Sequence, residues 1–179
     1  APTAQQAEIA ASMREEVLRM NSQVNNLLAM ARLQAGAVRL NRQWQPLEEV
    51  VGSATKAMAS VLAQHRLSVR LPADLPLLEF DAVLIERVLV NLLDNAAKYT
   101  PSGSLIEVGA APGARDHIDV WVEDDGPGLP AGREEQIFQK FERGRKESTT
   151  PGVGLGLAIC RAIVEAHGGN ISAGKRANG

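Results

Sequence analysis

Apolar residues recur along the first forty positions at a narrow spacing. Val17, Met20, Val24, Leu27 and Ala31 are separated by 3, 4, 3 and 4 residues. This is a heptad seam with a period near 3.5, flanked by Arg14, Glu15, Glu16 and Arg19. A stripe this narrow suits a partner helix in a bundle or coiled coil. An ordinary amphipathic surface helix gives the same spacing over so few turns, so the pattern leaves both open. Gly36 is placed to cap the helix.

A short link containing Trp44 and Pro46 follows, and the domain boundary falls near Arg42–Pro46. Leu47, Val50, Val51, Ala54, Met58 and Val61 then mark one face of a second helix, with Pro46 suited to its first turn. Leu67, Val69 and Leu71 alternate with polar residues and predict a strand; a Pro-rich turn and a short strand, Leu77 to Phe80, come next. Asp81 is an N-cap for a long helix through Ala97 that carries Val83, Leu84, Val88, Leu92 and Leu93. Strands are expected around Leu105–Ala110 and Ile118–Glu123. A Gly/Pro loop, a short Phe-containing helix, a charged segment, a Gly-rich run and a helix from Leu155 to His167 follow. A last strand is expected to begin around Ile171. This order predicts an α+β two-layer sandwich: one mixed or mainly antiparallel sheet, with helices on one face, preceded by one long helix.

Composition narrows the classes. Hydrophobic residues make up 45% and charged residues 22%, an ordinary globular balance that excludes disorder as the main theme. Net charge is −2, which argues against a nucleic-acid binder built on bulk positive charge. A single cysteine, Cys160, excludes a disulfide scaffold within the chain. No apolar run is long enough to span a bilayer, so this stretch is expected to be soluble and to make no direct membrane contact. The chain opens without an initiator Met inside a helical pattern, which suggests a longer parent. Aromatics are only 3%, so each aromatic position carries weight.

Four runs carry candidate chemistry. In Asn91-Leu92-Leu93-Asp94-Asn95-Ala96-Ala97-Lys98-Tyr99, the residues Asn91, Asn95 and Lys98 fall on one helical face. Carboxamide oxygens can complete a Mg²⁺ shell that is otherwise water and phosphate, and Lys98 is a point charge for phosphate. A solvated polar face explains the same run. Asp124-Asp125-Gly126-Pro127-Gly128 ends a strand. Its carboxylate can accept a hydrogen bond from an exocyclic amine, and glycines let backbone approach a flat ring, although a plain turn also fits. Gly152-Val153-Gly154-Leu155-Gly156-Leu157 precedes an apolar helix, where free N–H groups and the helix dipole favour an anion. It is neither a P-loop nor a Rossmann fingerprint. Between these lies Ile137-Phe138-Gln139-Lys140-Phe141-Glu142-Arg143, in which the Phe pair can anchor a loop while Arg143 reaches phosphate.

Taken in order, the four runs resemble the N, G1, F and G2 boxes of the ATP-binding catalytic domain of sensor histidine kinases, within the superfamily shared with gyrase and Hsp90. The resemblance runs from about Pro46 to the end. Residues 1–42 look like the second helix of the family's dimerisation and histidine-phosphotransfer hairpin plus linker, and residues 43–179 like the kinase domain. The wording from Gly144 to Gly169 is similar to that of the potassium-responsive Kdp sensor kinases. The resemblance implies a Bergerat-type fold, ATP and Mg²⁺ as cofactors, and transfer of the γ-phosphate to a histidine for relay to a response regulator. It implies that Asn95 ligates Mg²⁺ with Asn91 nearby, that Lys98 and Arg143 meet phosphate, and that Tyr99 lines the base pocket. Asp124 would bind the adenine amine, with Gly126 and Gly128 shaping the pocket. Gly152, Gly154, Leu155 and Gly156 would hinge a lid and cradle phosphate. The implied partners are the chain's own hairpin, dimeric in the intact protein, and a response regulator, with no nucleic acid. The implied location is the cytoplasmic side of an inner-membrane bacterial sensor.

Three departures stand out. The family often has Asn directly after the adenine-binding Asp, and here it is Asp125. His65, His117 and His167 all lack the context of the family's phosphoacceptor, so the acceptor is expected outside these residues and autophosphorylation is not expected from this chain alone. The chain also stops before the family's last strand. Among rivals, a gyrase- or Hsp90-type ATPase places a water-activating Glu where this chain has Asn91, which cannot act as a base. A Ser/Thr anti-sigma kinase shares the pocket but not the bundle-like first helix. A silent interaction module would need a damaged motif.

Overall fold

The computed structural model describes residues 39–114, 117–129, 132–139 and 154–175, with scattered positions from 3 to 28. The chain divides into two units, residues 1–38 and residues 39–179.

In the first unit, the described positions from 5 to 28 are helical. Gln6 N–H donates to Thr3 Oγ1 (3.3 Å) and Thr3 N–H to Gln6 Oε1 (2.9 Å), the reciprocal bonds of a capping box. Val17, Met20 and Val24 of the heptad seam are exposed, as are Ile9, Met13 and Leu28. Leu27, Ala31 and Gly36 lie outside the described residues.

In the second unit, strand β1 (Gln43–Gln45) leads into helices α1 (Leu47–Ala57) and α2 (Ala59–Leu62), followed by β2 (Arg66–Arg70) and β3 (Leu78–Phe80). Helix α3 (Ala82–Tyr99), strands β4 (Leu105–Pro112) and β5 (Ile118–Asp124), a 3₁₀ turn (Gln136–Phe138) and α4 (Gly156–Ala166) complete it. The strands form two sheets: β1 pairs antiparallel with β3, and β4 lies between a parallel β2 and an antiparallel β5. The result is a mixed α/β unit with open sheets.

Alternation explains which face is covered. Ile106, Val108 and Ala110 of β4 point into a core with Val50, Val51 and Ala54 of α1 and Leu89, Leu93 and Ala96 of α3. Helix α4 packs on α3, burying Ala158, Ile159, Cys160 and Ile163. On the opposite face of β4, Trp121 lies so close over Gly109 that a Cβ there would sit 2.3 Å from the indole. Beside it, Arg70 Nε is 2.9 Å from the buried carboxylate of Glu107, within ion-pairing range but not aligned as a hydrogen bond.

Four sequence expectations change. Trp44 belongs to β1 rather than to a link, because Trp44 pairs with Glu79. The second helix breaks at Met58, whose N–H bonds to Ala54 O and Lys56 O, and Val61 beyond the break is exposed instead of joining the core face. One continuous sheet becomes two. The expected strand at Ile171 does not form, since the described residues 169–175 have no regular structure.

Candidate functional site

Helix α3 positions the first group of candidate residues. Its N-cap is Asp81, whose Oδ1 accepts from Leu84 N–H (3.2 Å). Nearly three turns later, half-buried Asn91 faces the first turn of α4, and a Cβ on Gly156 would be 3.6 Å from Asn91 Oδ1. That is ordinary van der Waals distance, so the start of α4 lies in direct contact range of the Asn91 side chain. Among the described residues Asn91 Nδ2 is buried with no well-aligned hydrogen-bond partner, and the Asn91 side chain lies beside the Cys160 thiol. Asn95 is half-buried one turn further on. Lys98 is ion-paired with Asp94 on the preceding turn. Tyr99, at the end of the helix, is 45% exposed.

The end of β5 supplies the second group. Asp124 Oδ1 accepts from Gly126 N–H (2.9 Å), which folds the Asp-Gly run into a tight turn. A carboxylate has about four lone-pair sites, so capacity for a further donor remains. The turn sits against the C-terminal end of α3: a Cβ on Gly126 would lie 2.6 Å from Thr100 Cγ2 and 3.4 Å from Tyr99 O. Thr100 is buried and donates from Oγ1 to Ala96 O (2.7 Å). Gly128 has φ +70°, in the left-handed region. Asp125 points elsewhere. Its Oδ1 accepts from Leu105 N–H (2.9 Å) and Asp125 N–H donates to Leu105 O (3.2 Å), pinning the end of β5 to the start of β4. The Leu105 bond, with Ser104 and Arg66, holds the Asp125 carboxyl below the usual range.

The third group lies around α4. Gly154 turns the chain with φ +70°, Leu155 is the buried N-cap residue, and Gly156 opens the helix. Among the described residues no side chain caps the helix start, which leaves its first N–H groups available to an acceptor. Phe138 is buried beneath Arg161 of α4, whose guanidinium carbon is 4.5 Å from the ring centroid. Arg161 also bonds Glu135 (2.5 Å), lowering that carboxyl. Arg143 and Gly152, with Phe141 and the rest of 140–153, lie outside the described residues.

Three side chains at the site escape sequence reasoning: Thr100, Arg161 and Cys160. Cys160 is buried behind Asn91, with Sγ 3.7 Å from Val88 O, and burial pushes its thiol up to about 12. Their placement depends on tertiary neighbours, and only the position of Thr100 directly after Tyr99 gives a local signal.

The donor set suits Mg²⁺ carried by a nucleotide. Among the described residues no group of three His, Cys, Asp or Glu could hold a metal alone. The neutral carboxamide oxygens of Asn91 and Asn95 fit an ion whose remaining ligands are water and phosphate.

Comparison with known proteins follows the same lines. The chain is 50% identical over 174 residues to the sensor protein KdpD of Escherichia coli K12, a match covering 97% of this chain and 19% of that protein. It is 39% identical over 171 residues to the KdpD of Mycobacterium tuberculosis H37Rv, covering 93% and 20%. The chain thus spans about a fifth of the length of these curated relatives. A crystal structure of full-length ShkA in complex with AMPPNP superposes with a TM-score of 0.83 at 26% identity, over 98% of this chain and 37% of that one. A family profile described as "Histidine kinase-, DNA gyrase B-, and HSP90-like ATPase" matches residues 80–179, more than half of the chain and every candidate site residue. The chain belongs to this family of ATP-binding domains.

Proposed function

We propose that this chain is the catalytic part of a sensor histidine kinase, binding ATP with Mg²⁺ and transferring the γ-phosphate to a histidine outside residues 39–179. The observation that carries the reading is the meeting of three elements: the Asp124–Gly126 turn, the end of α3 at Tyr99–Thr100, and Asn91 against the uncapped start of α4. Asp124 accepts the adenine amine, Tyr99 and the glycine turn border the base, and the N–H groups from Gly154 to Gly156 receive phosphate. Asn95, with Asn91, holds the Mg²⁺ that neutralises charge on the phosphates when bound. Lys98 and Arg143 complete the phosphate contacts, Lys98 by exchanging Asp94 for nucleotide. Phosphoryl transfer is mainly positioning plus charge stabilisation, so these roles suffice for the chain's share of the reaction.

The acceptor lies in the hairpin to which residues 1–42 contribute a helix, dimeric through the exposed Val17, Met20 and Val24. A response regulator receives the phosphate. The parent is a bacterial inner-membrane sensor of the potassium-responsive type, with this part on the cytoplasmic side. Among the described residues no helix is long and apolar enough to cross a membrane. The test is calorimetry with AMPPNP and GMPPNP in Mg²⁺. Guanine offers a carbonyl where adenine offers the amine, so the guanine analogue should bind at least about tenfold more weakly. Equal affinities would exclude Asp124 as the base reader.

A further inference from the structure

The end of α4 is built into a junction that no candidate motif covers. Gly168 N–H bonds to Glu165 O (2.9 Å) and Gly169 N–H to Val164 O (3.0 Å), with Gly168 at φ +82°, so the helix closes in a Schellman turn. That turn fixes the backbone of His167 and aims its ring at the start of α3. His167 Nδ1 lies 2.8 Å from Ile163 O, and His167 Nε2 lies 3.1 Å from Asp81 N. An amide can only donate, so Nε2 is the acceptor and Nδ1 carries the proton given to Ile163 O. Both ring nitrogens are used.

Asp81 extends the chain of bonds. Besides capping α3, its Oδ2 accepts from Asn41 N–H (2.9 Å). Arg42 Nη2 donates to Ala166 O (2.8 Å), and Gln45 Nε2 donates to Phe80 O (2.8 Å). Residues 41–45, the start of α3 and the end of α4 therefore meet at one point. Asn91, Asn95 and Gly156 of the proposed nucleotide site sit on the same two helices. Asn91 and Asn95 lie about 15 and 21 Å along α3 from Asp81, and Gly156 lies about 17 Å along α4 from His167.

We propose that His167 is a positioning residue for nucleotide: its ring ties α4 to the cap of α3, and through Asp81 to Asn41, so that nucleotide binding and the tethering of residues 41–45 are coupled. The inference rests on the nucleotide site proposed above. Two helices that pivot about a bonded end hold Asn91 and Gly156 at one spacing, and loss of that bond lets the far ends shift. Linkage makes the coupling reciprocal, so nucleotide must tighten the Asn41 and Asp81 amides.

The experiment combines calorimetry with AMPPNP·Mg²⁺ and amide hydrogen exchange on the full chain and on His167→Ala, His167→Gln and Asp124→Asn. In the unsubstituted chain, AMPPNP should slow exchange at Asn41 and Asp81 severalfold. His167→Ala should weaken AMPPNP about fivefold, the effect of roughly one neutral hydrogen bond, and abolish the nucleotide effect at Asn41. His167→Gln, whose Oε1 can still accept from Asp81 N–H, should return affinity to nearly the original, which a merely space-filling role would not require. Unchanged Asn41 exchange on adding AMPPNP to the unsubstituted chain overturns the proposal, even if His167→Ala fails to fold. Undiminished affinity in His167→Ala together with lost binding in Asp124→Asn overturns the proposal alone. Undiminished affinity in Asp124→Asn removes the nucleotide pocket, and the proposal with it.

Discussion

Gly126→Ala puts one methyl into the most crowded part of the candidate pocket. The new Cβ would sit 2.6 Å from Thr100 Cγ2 and 2.7 Å from Asp124 Oδ1, both well inside van der Waals contact. Neither neighbour yields freely. Thr100 is buried and bonded to Ala96 O, and Asp124 Oδ1 is the acceptor of Gly126 N–H. Overpacking of this kind costs about 1–3 kcal/mol, which lowers Tm by about 3–9 °C at this chain length. Two separate clashes predict two separable effects. Adding Thr100→Ser removes Cγ2 but keeps the hydroxyl bond, so Tm should recover by about half. The Asp124 carboxylate stays displaced in the double variant, so affinity for AMPPNP should remain about tenfold down in both. Differential scanning calorimetry and titration calorimetry read the two effects. An unaltered Tm and affinity in Gly126→Ala would refute the packing of this turn on Thr100, and full recovery of binding in the double variant would refute a separate clash with Asp124.

Asp124→Asn should weaken adenine nucleotides more than tenfold, about 1.5–3 kcal/mol for a charged acceptor, with Tm nearly unchanged without ligand; titration calorimetry decides. Gly109→Ala drives a Cβ into Trp121 at 2.3 Å, so it should cost about 1–3 kcal/mol in urea unfolding yet leave AMPPNP affinity intact, because the indole lies on the sheet face opposite the helices. The Cys160 thiol, pushed up to about 12, favours its neutral form on folding. Its stabilising contribution is full below the ordinary value of 9.0 and is lost as pH rises from there toward 12, so stability should fall more steeply in that window than for Cys160→Ser. Incubated with labelled ATP and Mg²⁺, the chain should gain no acid-labile phosphate on its histidines. Both nitrogens of His167 are engaged and those of His65 are buried, so label mapped to either would contradict the assigned geometry.

Short-range signals made much of this structure legible. Asp81 announces α3 because its carboxylate needs only an amide three residues on, and Gly168-Gly169 announces the end of α4 because the closing bonds are local. The Asp-Gly run at 124–126 reads as a turn for the same reason. What stayed hidden is long-range. Gln43-Trp44-Gln45 is too short for its polar–apolar–polar alternation to announce a strand, which forms through partners at 78–80. Ile171 lies in a described stretch, 169–175, that pairs with no strand. The role of Asp125 follows from Leu105, twenty residues away, and that of His167 from Asp81, 86 residues away. The carboxamides of α3 are visible as a face, but the ion pair that engages Lys98 with Asp94 is not.

The most direct test of the central claim is a crystal structure of the chain with AMPPNP and Mg²⁺. The account predicts the adenine amine within hydrogen-bond distance of the Asp124 carboxylate, the metal on Asn95 Oδ1, and phosphate oxygens facing the first N–H groups of α4. Nucleotide bound away from the Asp124–Gly126 turn, or a metal held without either Asn91 or Asn95, would contradict it.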